Sequence, residues 1–140
     1  MSKALAREDI AEIEVNLGLV FPEDFAAHCL SYNGGIPAKP FFYFEEDDIE
    51  TEIQVFLPLK YRYCDIPIRT AEEKYLLFKG KSPLIISYFP FANDYGANPI
   101  CVNLEEGGIY IVYLEDRCFH RIAENFRDFV ESLSEDSIDD

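Results

Sequence analysis

The side chains best suited to acid–base chemistry or metal binding near neutral pH are the chain's two histidines, His28 and His120. His28 follows Glu23 and Asp24 in a segment that predicts a helix, and His120 lies at the end of a predicted strand. Either role requires partner groups at a helical or strand spacing that would pair them with the histidine. The sequence offers no such pairing, so we expect both histidines to be structural or surface residues.

The sequence contains none of the short motifs that mark common enzymes. Gly-x-Ser-x-Gly, a phosphate-binding loop, a dinucleotide fingerprint and His-Glu-x-x-His are all absent. A hydrolase that uses paired carboxylates stays open, because any acidic surface supplies carboxylates, but nothing indicates a cleft that raises the pKa of one of them. We therefore predict that the chain is not an enzyme and uses no cofactor.

Neither the acidic residues nor the cysteines predict a metal site. The densest acidic run, residues 45–52, lacks the alternating ligands and central glycine of a calcium-binding loop. The cysteines are far apart and form no Cys-x-x-Cys pair, which disfavours zinc and leaves reduced thiols as the expectation. They are Cys29, Cys64, Cys101 and Cys118.

The charge balance indicates which partners suit the chain. Lys and Arg total 12 against 27 Asp and Glu, so the net charge is −15. This charge repels nucleic acid and anionic membranes and attracts basic proteins, although it can also serve solubility alone. We predict one negative face for a protein partner, with a tyrosine as anchor. Its residues are Glu45, Glu46, Asp47, Asp48, Glu50, Asp94, Tyr95, Glu105, Glu106, Glu115 and Asp116.

The loop at residues 94–98 has a second interpretation. Asp and Asn side chains bond to nearby backbone groups and so form turns without any ligand. The loop then only connects two strands, which is what most loops do. Both interpretations, partner binding and a plain turn, stay open at this point.

A helix–turn–helix corner at residues 17–35 organises the chain. Asp9 and Glu12 have the spacing of a capping box, so the first helix is predicted over residues 9–17 and ends at Gly18. Pro22 suits the first position of the second helix, because proline lacks an N–H that would be unpaired there. Apolar residues on one face of this helix include Phe25 and Cys29. Its exit consists of Asn33, Gly34 and Gly35.

The rest of the chain predicts strands and two further helices. An aromatic strand at 41–44 and an alternating strand at 53–57 predict a hairpin whose acidic turn spans 45–52. A capping box predicts a helix over 71–79 that ends at Gly80, and the apolar run 84–89 predicts a buried central strand.

The last third predicts an antiparallel sheet followed by a helix. Strands are expected at 100–104, 109–114 and 118–122, and a final helix is capped by Asn125 and Asp128. Residues 134–140 predict a frayed acidic tail. The element order therefore predicts one α+β domain over residues 1–140, with helices around an antiparallel sheet.

Several of these motifs together resemble the SUKH superfamily. They are the Leu-Gly helix end at 17–18, Phe-Pro-Glu-Asp-Phe at 21–25, Asn-Gly-Gly at 33–35, Phe-Ala-Asn-Asp-Tyr-Gly at 91–96 and Ile-Ala-Glu-Asn-Phe at 122–126. Their order and spacing carry the resemblance over nearly the whole chain. The residues that match the structural motifs are Gly18, Pro22, Asn33, Gly34, Gly35 and Gly96. The chain departs at Phe21, where the superfamily more often has leucine, and at Ala97 and Asn98, which replace its second glycine.

The resemblance implies a function, because the superfamily includes the Smi and Knr regulators of yeast cell-wall synthesis and many bacterial immunity proteins. It implies an immunity protein that occludes a basic, nuclease-like toxin. The alternatives are a housekeeping adaptor without a toxin partner, and an enzyme or ligand binder with a pocket between sheet and helices. The sequence has neither an apolar run of ~20 residues nor the apolar core of a signal peptide, so a cytoplasmic location is expected.

Overall fold

The computed structural model describes residues 5–31, 34–35, 37–44, 49–59, 70–81, 86–113, 115–116 and 118–135. These residues form four α-helices and six β-strands. The helices are α1 (Arg7–Leu17), α2 (Glu23–Ser31), α3 (Ala71–Lys81) and α4 (Phe126–Glu131). The strands are β1 (Phe41–Phe44), β2 (Ile49–Phe56), β3 (Tyr88–Asp94), β4 (Pro99–Asn103), β5 (Ile109–Tyr113) and β6 (Cys118–Ala123). The predictions for Asn33, Glu45, Glu46, Asp47, Asp48, Cys64 and residues 136–140 lie outside the described residues.

The strands form one antiparallel sheet in which each strand pairs with the next, in the order β1-β2-β3-β4-β5-β6. Connections in such a sheet alternate between its two ends. The connections after β1, β3 and β5 lie at one end, here called the hairpin end. Those after β2, β4 and β6 lie at the other, the helix end, where the chain leads into α3 and α4. The predicted α+β fold is therefore confirmed.

The helical corner forms largely through local contacts. α1 begins two residues before its predicted start, because the Asp9 carboxylate accepts a hydrogen bond from the Ala6 backbone N–H, 2.9 Å away, and so acts at the third helical position. Gly18 ends α1 in the left-handed conformation at φ 70°, as predicted. The Pro22 carbonyl accepts the first bond of α2 from the Ala26 N–H at 3.0 Å, so the proline lies one residue before its predicted place.

Aromatic side chains fill the core between the helices and one face of the sheet. Phe25 of α2 is 1% exposed. Its ring centre lies 5.0 Å from that of Phe126, 5.3 Å from that of Phe21 and 5.7 Å from that of Phe91. Phe89 is fully buried and packs 4.8 Å from Phe21. Burial of several aromatic rings in one cluster dominates the energy of a core of this size.

The first and last strands of the sheet approach each other because the sheet curls around α4. The Phe42 ring of β1 stacks 5.0 Å from Phe129 of α4, and Phe44 lies 6.2 Å from His120 of β6. After α4, Ser134 exchanges two backbone hydrogen bonds with Phe41, of 2.8 and 3.0 Å. Ser134 therefore pairs with the sheet, although the sequence predicted a frayed tail that begins at this residue.

Three boundaries differ from prediction for physical reasons. The central strand β3 begins at Tyr88 and continues through Pro90. The register with β4 shifts between Pro90 and Ala92, and proline, which has no N–H to donate, is tolerated at such an irregularity. β2 starts at Ile49 because residues 49–52 pair with β1, so this half of the predicted acidic turn is strand. α3 continues through Gly80, which has no positive φ.

Candidate partner-binding surface

The hairpin end of the sheet carries most of the described residues that were predicted to bind a partner. Glu115 and Asp116 are exposed in the β5–β6 turn, and Glu52 is exposed on β2. Glu50 pairs with Tyr43 across the β1–β2 hairpin. We call this set the acidic rim: Glu50, Glu52, Asp94, Tyr95, Glu115 and Asp116. Sequence reasoning did not select Glu52 for binding, although its alternation with the buried Ile53 indicates an outward side chain.

Within the rim, the Asp94 carboxylate builds the β3–β4 loop. Its Oδ1 accepts a hydrogen bond from the Asn98 backbone N–H at 2.8 Å, and its Oδ2 accepts one from Asn98 Nδ2 at 3.2 Å. A Cβ on Gly96 would come 3.0 Å from Asn98 Nδ2, so a larger residue there would displace the Asn98 amide from its bond to Asp94. Ala97 has φ 64°, a left-handed conformation that costs a non-glycine residue about 1–2 kcal/mol. The turn interpretation therefore holds for Asp94.

This bonded loop presents Tyr95 to solvent. The Tyr95 side chain is 63% exposed, and its backbone N–H donates to the Glu52 carbonyl at 3.3 Å, which ties the loop to β2. Tyr113 is the last residue of β5 and lies near the loop. Burial raises the pKa of the Tyr113 hydroxyl, and the negative charge of nearby Asp94 raises it further. The rim thus combines exposed carboxylates with one aromatic side chain held by a rigid loop.

Glu105 and Glu106 are not part of this rim. They lie in the β4–β5 turn at the helix end, because consecutive turns of an antiparallel sheet alternate between its ends. The prediction of one continuous negative face is therefore wrong for these two residues. The two adjacent carboxylates at Glu105 and Glu106 were visible in the sequence, but their separation from the rim depends on strand pairing.

The two glutamates also make internal contacts at the helix end. Glu106 accepts a hydrogen bond from the Tyr110 hydroxyl, and its Oε1 lies 4.0 Å from Arg121 Nε. The Glu105 carboxylate accepts a hydrogen bond from Ser87 Oγ at 3.1 Å. Asn103 Oδ1 accepts from both glutamate backbone N–H groups, at 2.9 and 3.1 Å. These contacts stabilise the turn.

The histidines occupy aromatic surroundings. The His28 ring lies 4.8 Å from Phe126 and 6.1 Å from Phe56, and burial lowers its pKa. The described residues contain no group of three or more His, Cys, Asp and Glu side chains arranged to hold a metal ion. Cys29 and Cys101 are buried, as their sequence positions predict, and burial raises the pKa of both thiols, to about 12 for Cys29.

Comparison with known proteins identifies one family. The family model described as the SMI1 / KNR4 family (SUKH-1) matches residues 4–132, which include every segment that carried the resemblance. No curated protein matches the chain. Among the described residues, none of the helices has the length and apolar character that crossing a membrane requires.

Proposed function

The chain belongs to the SMI1 / KNR4 family (SUKH-1), and from this membership we propose that it is an immunity protein that binds and neutralises a basic, nuclease-like toxin. The observation that carries the proposal beyond family membership is the acidic rim. Its exposed carboxylates at Glu52, Glu115 and Asp116 lie at the same end of the sheet as Tyr95, which is 63% exposed. Carboxylates around an aromatic anchor suit a basic protein surface.

The proposed mechanism is occlusion. Carboxylates of the rim pair with Lys and Arg side chains that the toxin would otherwise use to hold nucleic acid, so the substrate is denied access. The net charge of −15 accelerates the encounter with a basic partner and repels the competing polyanion. Burial of Tyr95 in the interface supplies affinity that does not depend on salt. We propose binding, and no bond-making reaction, as the activity.

A second candidate is a housekeeping adaptor that binds an endogenous protein. Family membership supports it equally, because the family description names SMI1 and KNR4. The same rim would then receive a basic segment of a resident protein. Gene neighbourhood distinguishes the two: a toxin gene with a variable C-terminal domain immediately upstream favours the immunity role, and its absence favours the adaptor.

A charge-reversal experiment tests the surface. The partner is identified by pull-down from the native host with mass spectrometry, and its affinity is then measured by titration calorimetry. The rim variant Glu115→Lys/Asp116→Lys is compared with Glu8→Lys/Glu135→Lys, which makes the same change in net charge at exposed positions outside the rim.

We expect at least a tenfold loss of affinity for the rim variant, about 1.4 kcal/mol, and less than a threefold loss for the control. Equal losses would show that only net charge matters. Unchanged binding by the rim variant would show that these two carboxylates are not part of the interface. Toxin inhibition, measured on the same variants, separates immunity from simple association.

A further inference from the structure

The sheet face opposite the helices carries an aromatic cluster that the acidic rim does not include. Tyr88 of β3 lies 5.1 Å, ring centre to ring centre, from Tyr110 of β5 and 4.6 Å from Phe119 of β6. Side chains alternate between the two faces of a strand. Phe89, next to Tyr88, packs into the helix-side core, so Tyr88 must point to the other face. We call Tyr88, Tyr110 and Phe119 the aromatic patch.

The patch covers small apolar residues and keeps its own rings partly exposed. Cys101 of β4 pairs with Tyr110 and is 1% exposed, and Val112 pairs with Phe119 and is 2% exposed. The three rings themselves are only half-buried. They therefore form the outer layer of this face, with part of each ring open to a partner.

The charges around the patch indicate what it binds. Glu106 accepts a hydrogen bond from the Tyr110 hydroxyl, and Glu105 accepts one from Ser87, the residue before Tyr88. Glu124 lies 3.8 Å from Arg121 Nη2, and Arg121 also lies 4.0 Å from Glu106. Among these described neighbours, carboxylates outnumber the guanidinium, and the whole chain carries a net charge of −15. A second copy of the chain and a nucleic acid would both be repelled.

We propose that the aromatic patch binds an arginine-bearing segment of a basic protein. A guanidinium stacks flat on tyrosine and phenylalanine rings and also pairs with carboxylates, so it uses both features of this surface. A lysine ammonium has no planar face to stack, so arginine is preferred. The patch shares no residue with the acidic rim, and the proposal does not depend on a toxin partner; an adaptor could use the patch equally.

The test uses two blocked peptides of equal charge, hexa-arginine and hexa-lysine, titrated into the whole chain at about 0.15 M salt. The chain's overall negative charge attracts both, so the ratio of their dissociation constants is the informative quantity. A cation over each ring gains about two- to five-fold in affinity, and we expect arginine, which also stacks flat, to obtain more of this gain than lysine. We expect Tyr88→Leu and Phe119→Leu to reduce this preference toward unity, because leucine retains apolar volume and removes the π-face.

Tyr95→Leu asks whether the arginine preference arises at the acidic rim instead, because it removes the exposed aromatic ring there. Val15→Ala, at an 81% exposed position of α1, is the control that should leave the preference unchanged. Equal affinity of the wild-type chain for the two peptides would overturn the proposal, as would a preference that Tyr95→Leu removes. If the wild-type chain sediments as a dimer and Tyr88→Leu sediments as a monomer, the patch binds a second copy of the chain and not an arginine-bearing segment.

A measurement on the wild-type chain keeps the test independent of variant folding. Amide chemical shifts are followed by NMR while hexa-arginine is added, with hexa-lysine as the reference. We expect arginine-specific shifts at β3, β5 and β6 around the patch. Arginine-specific shifts confined to the acidic rim would overturn the proposal.

Discussion

Replacement of Phe25 by alanine is expected to lower the free energy of unfolding more than any other substitution proposed for this chain. The Phe25 side chain is 1% exposed, and its ring contacts those of Phe21, Phe89, Phe91 and Phe126 at centre distances of 5.0–6.0 Å. Replacement by alanine removes an aromatic ring from a site whose neighbours belong to several different elements and cannot all move inward. The expected cost is about 4–5 kcal/mol, the upper part of the range for Phe→Ala in a core.

This loss is a large share of the free energy of unfolding expected for one domain, about 5–15 kcal/mol. Urea denaturation followed by far-UV circular dichroism measures it. With a slope of about 2 kcal/mol per molar urea, the midpoint should fall by about 2 M without a change in slope. Phe25→Leu fills part of the space and should cost about 1–2 kcal/mol.

Tyr95→Ala provides the control, because it removes an aromatic ring that is 63% exposed. Its free energy of unfolding should change by no more than about 0.5 kcal/mol. A loss below about 1.5 kcal/mol for Phe25→Ala would refute the reasoning, because partial relaxation alone does not reduce the cost that far. A loss equal to that of Tyr95→Ala would show that α2 does not pack on the sheet through Phe25.

Two further predictions concern backbone conformation and pH. Gly18→Ala should cost about 1–2 kcal/mol of unfolding free energy, because φ is +70° and nothing else lies within 4 Å of the new Cβ. Gly80→Ala, in the last turn of α3 and without a positive φ, should instead stabilise by up to about 0.5 kcal/mol, and equal effects in urea denaturation would contradict this. Burial lowers the pKa of His28 below 6.5 in the folded chain. As the pH falls below 6.5, the unfolded chain therefore takes up a proton on His28 before the folded chain does. The contribution of neutral His28 to stability is complete above pH 6.5 and declines as the pH falls. His28→Gln should therefore reduce the difference between unfolding free energies measured at about pH 5.5 and about pH 7.5, and an unchanged difference would exclude His28 as its source.

Local features were predictable because the interactions that produce them span only a few residues. Thr70 and Glu73 form the predicted capping box: the Thr70 N–H donates to Glu73 Oε1 at 3.1 Å, and the Glu73 N–H donates to Thr70 Oγ1 at 3.2 Å. Asn125 caps α4 by accepting a hydrogen bond from the Asp128 N–H at 2.8 Å. The strands predicted at 100–104 and 109–114 likewise flank a turn with two glycines, and β4 ends at Asn103, one residue before its predicted end.

Strand boundaries were less predictable where neighbouring strands decide them. Pro90 looks like the end of a strand from its own chemistry, because it cannot donate a hydrogen bond. It lies inside β3 only because the ladder with β4 is irregular beside it. Residues 49–52 look too charged for a strand, and they extend β2 only because β1 supplies hydrogen-bond partners on one side.

The sequence by itself determined the element types, the end of α1 at Gly18, the inward residues such as Phe25 and Cys29, and the acidic character of the surface. These follow from side-chain chemistry and short-range periodicity. Only the tertiary structure decided which distant residues are neighbours: it placed Tyr95 beside Glu52, and it placed Glu106 at the other end of the sheet beside Arg121. The physical reason is that strand order and curl set distances between residues far apart in the chain, and no local pattern encodes those distances.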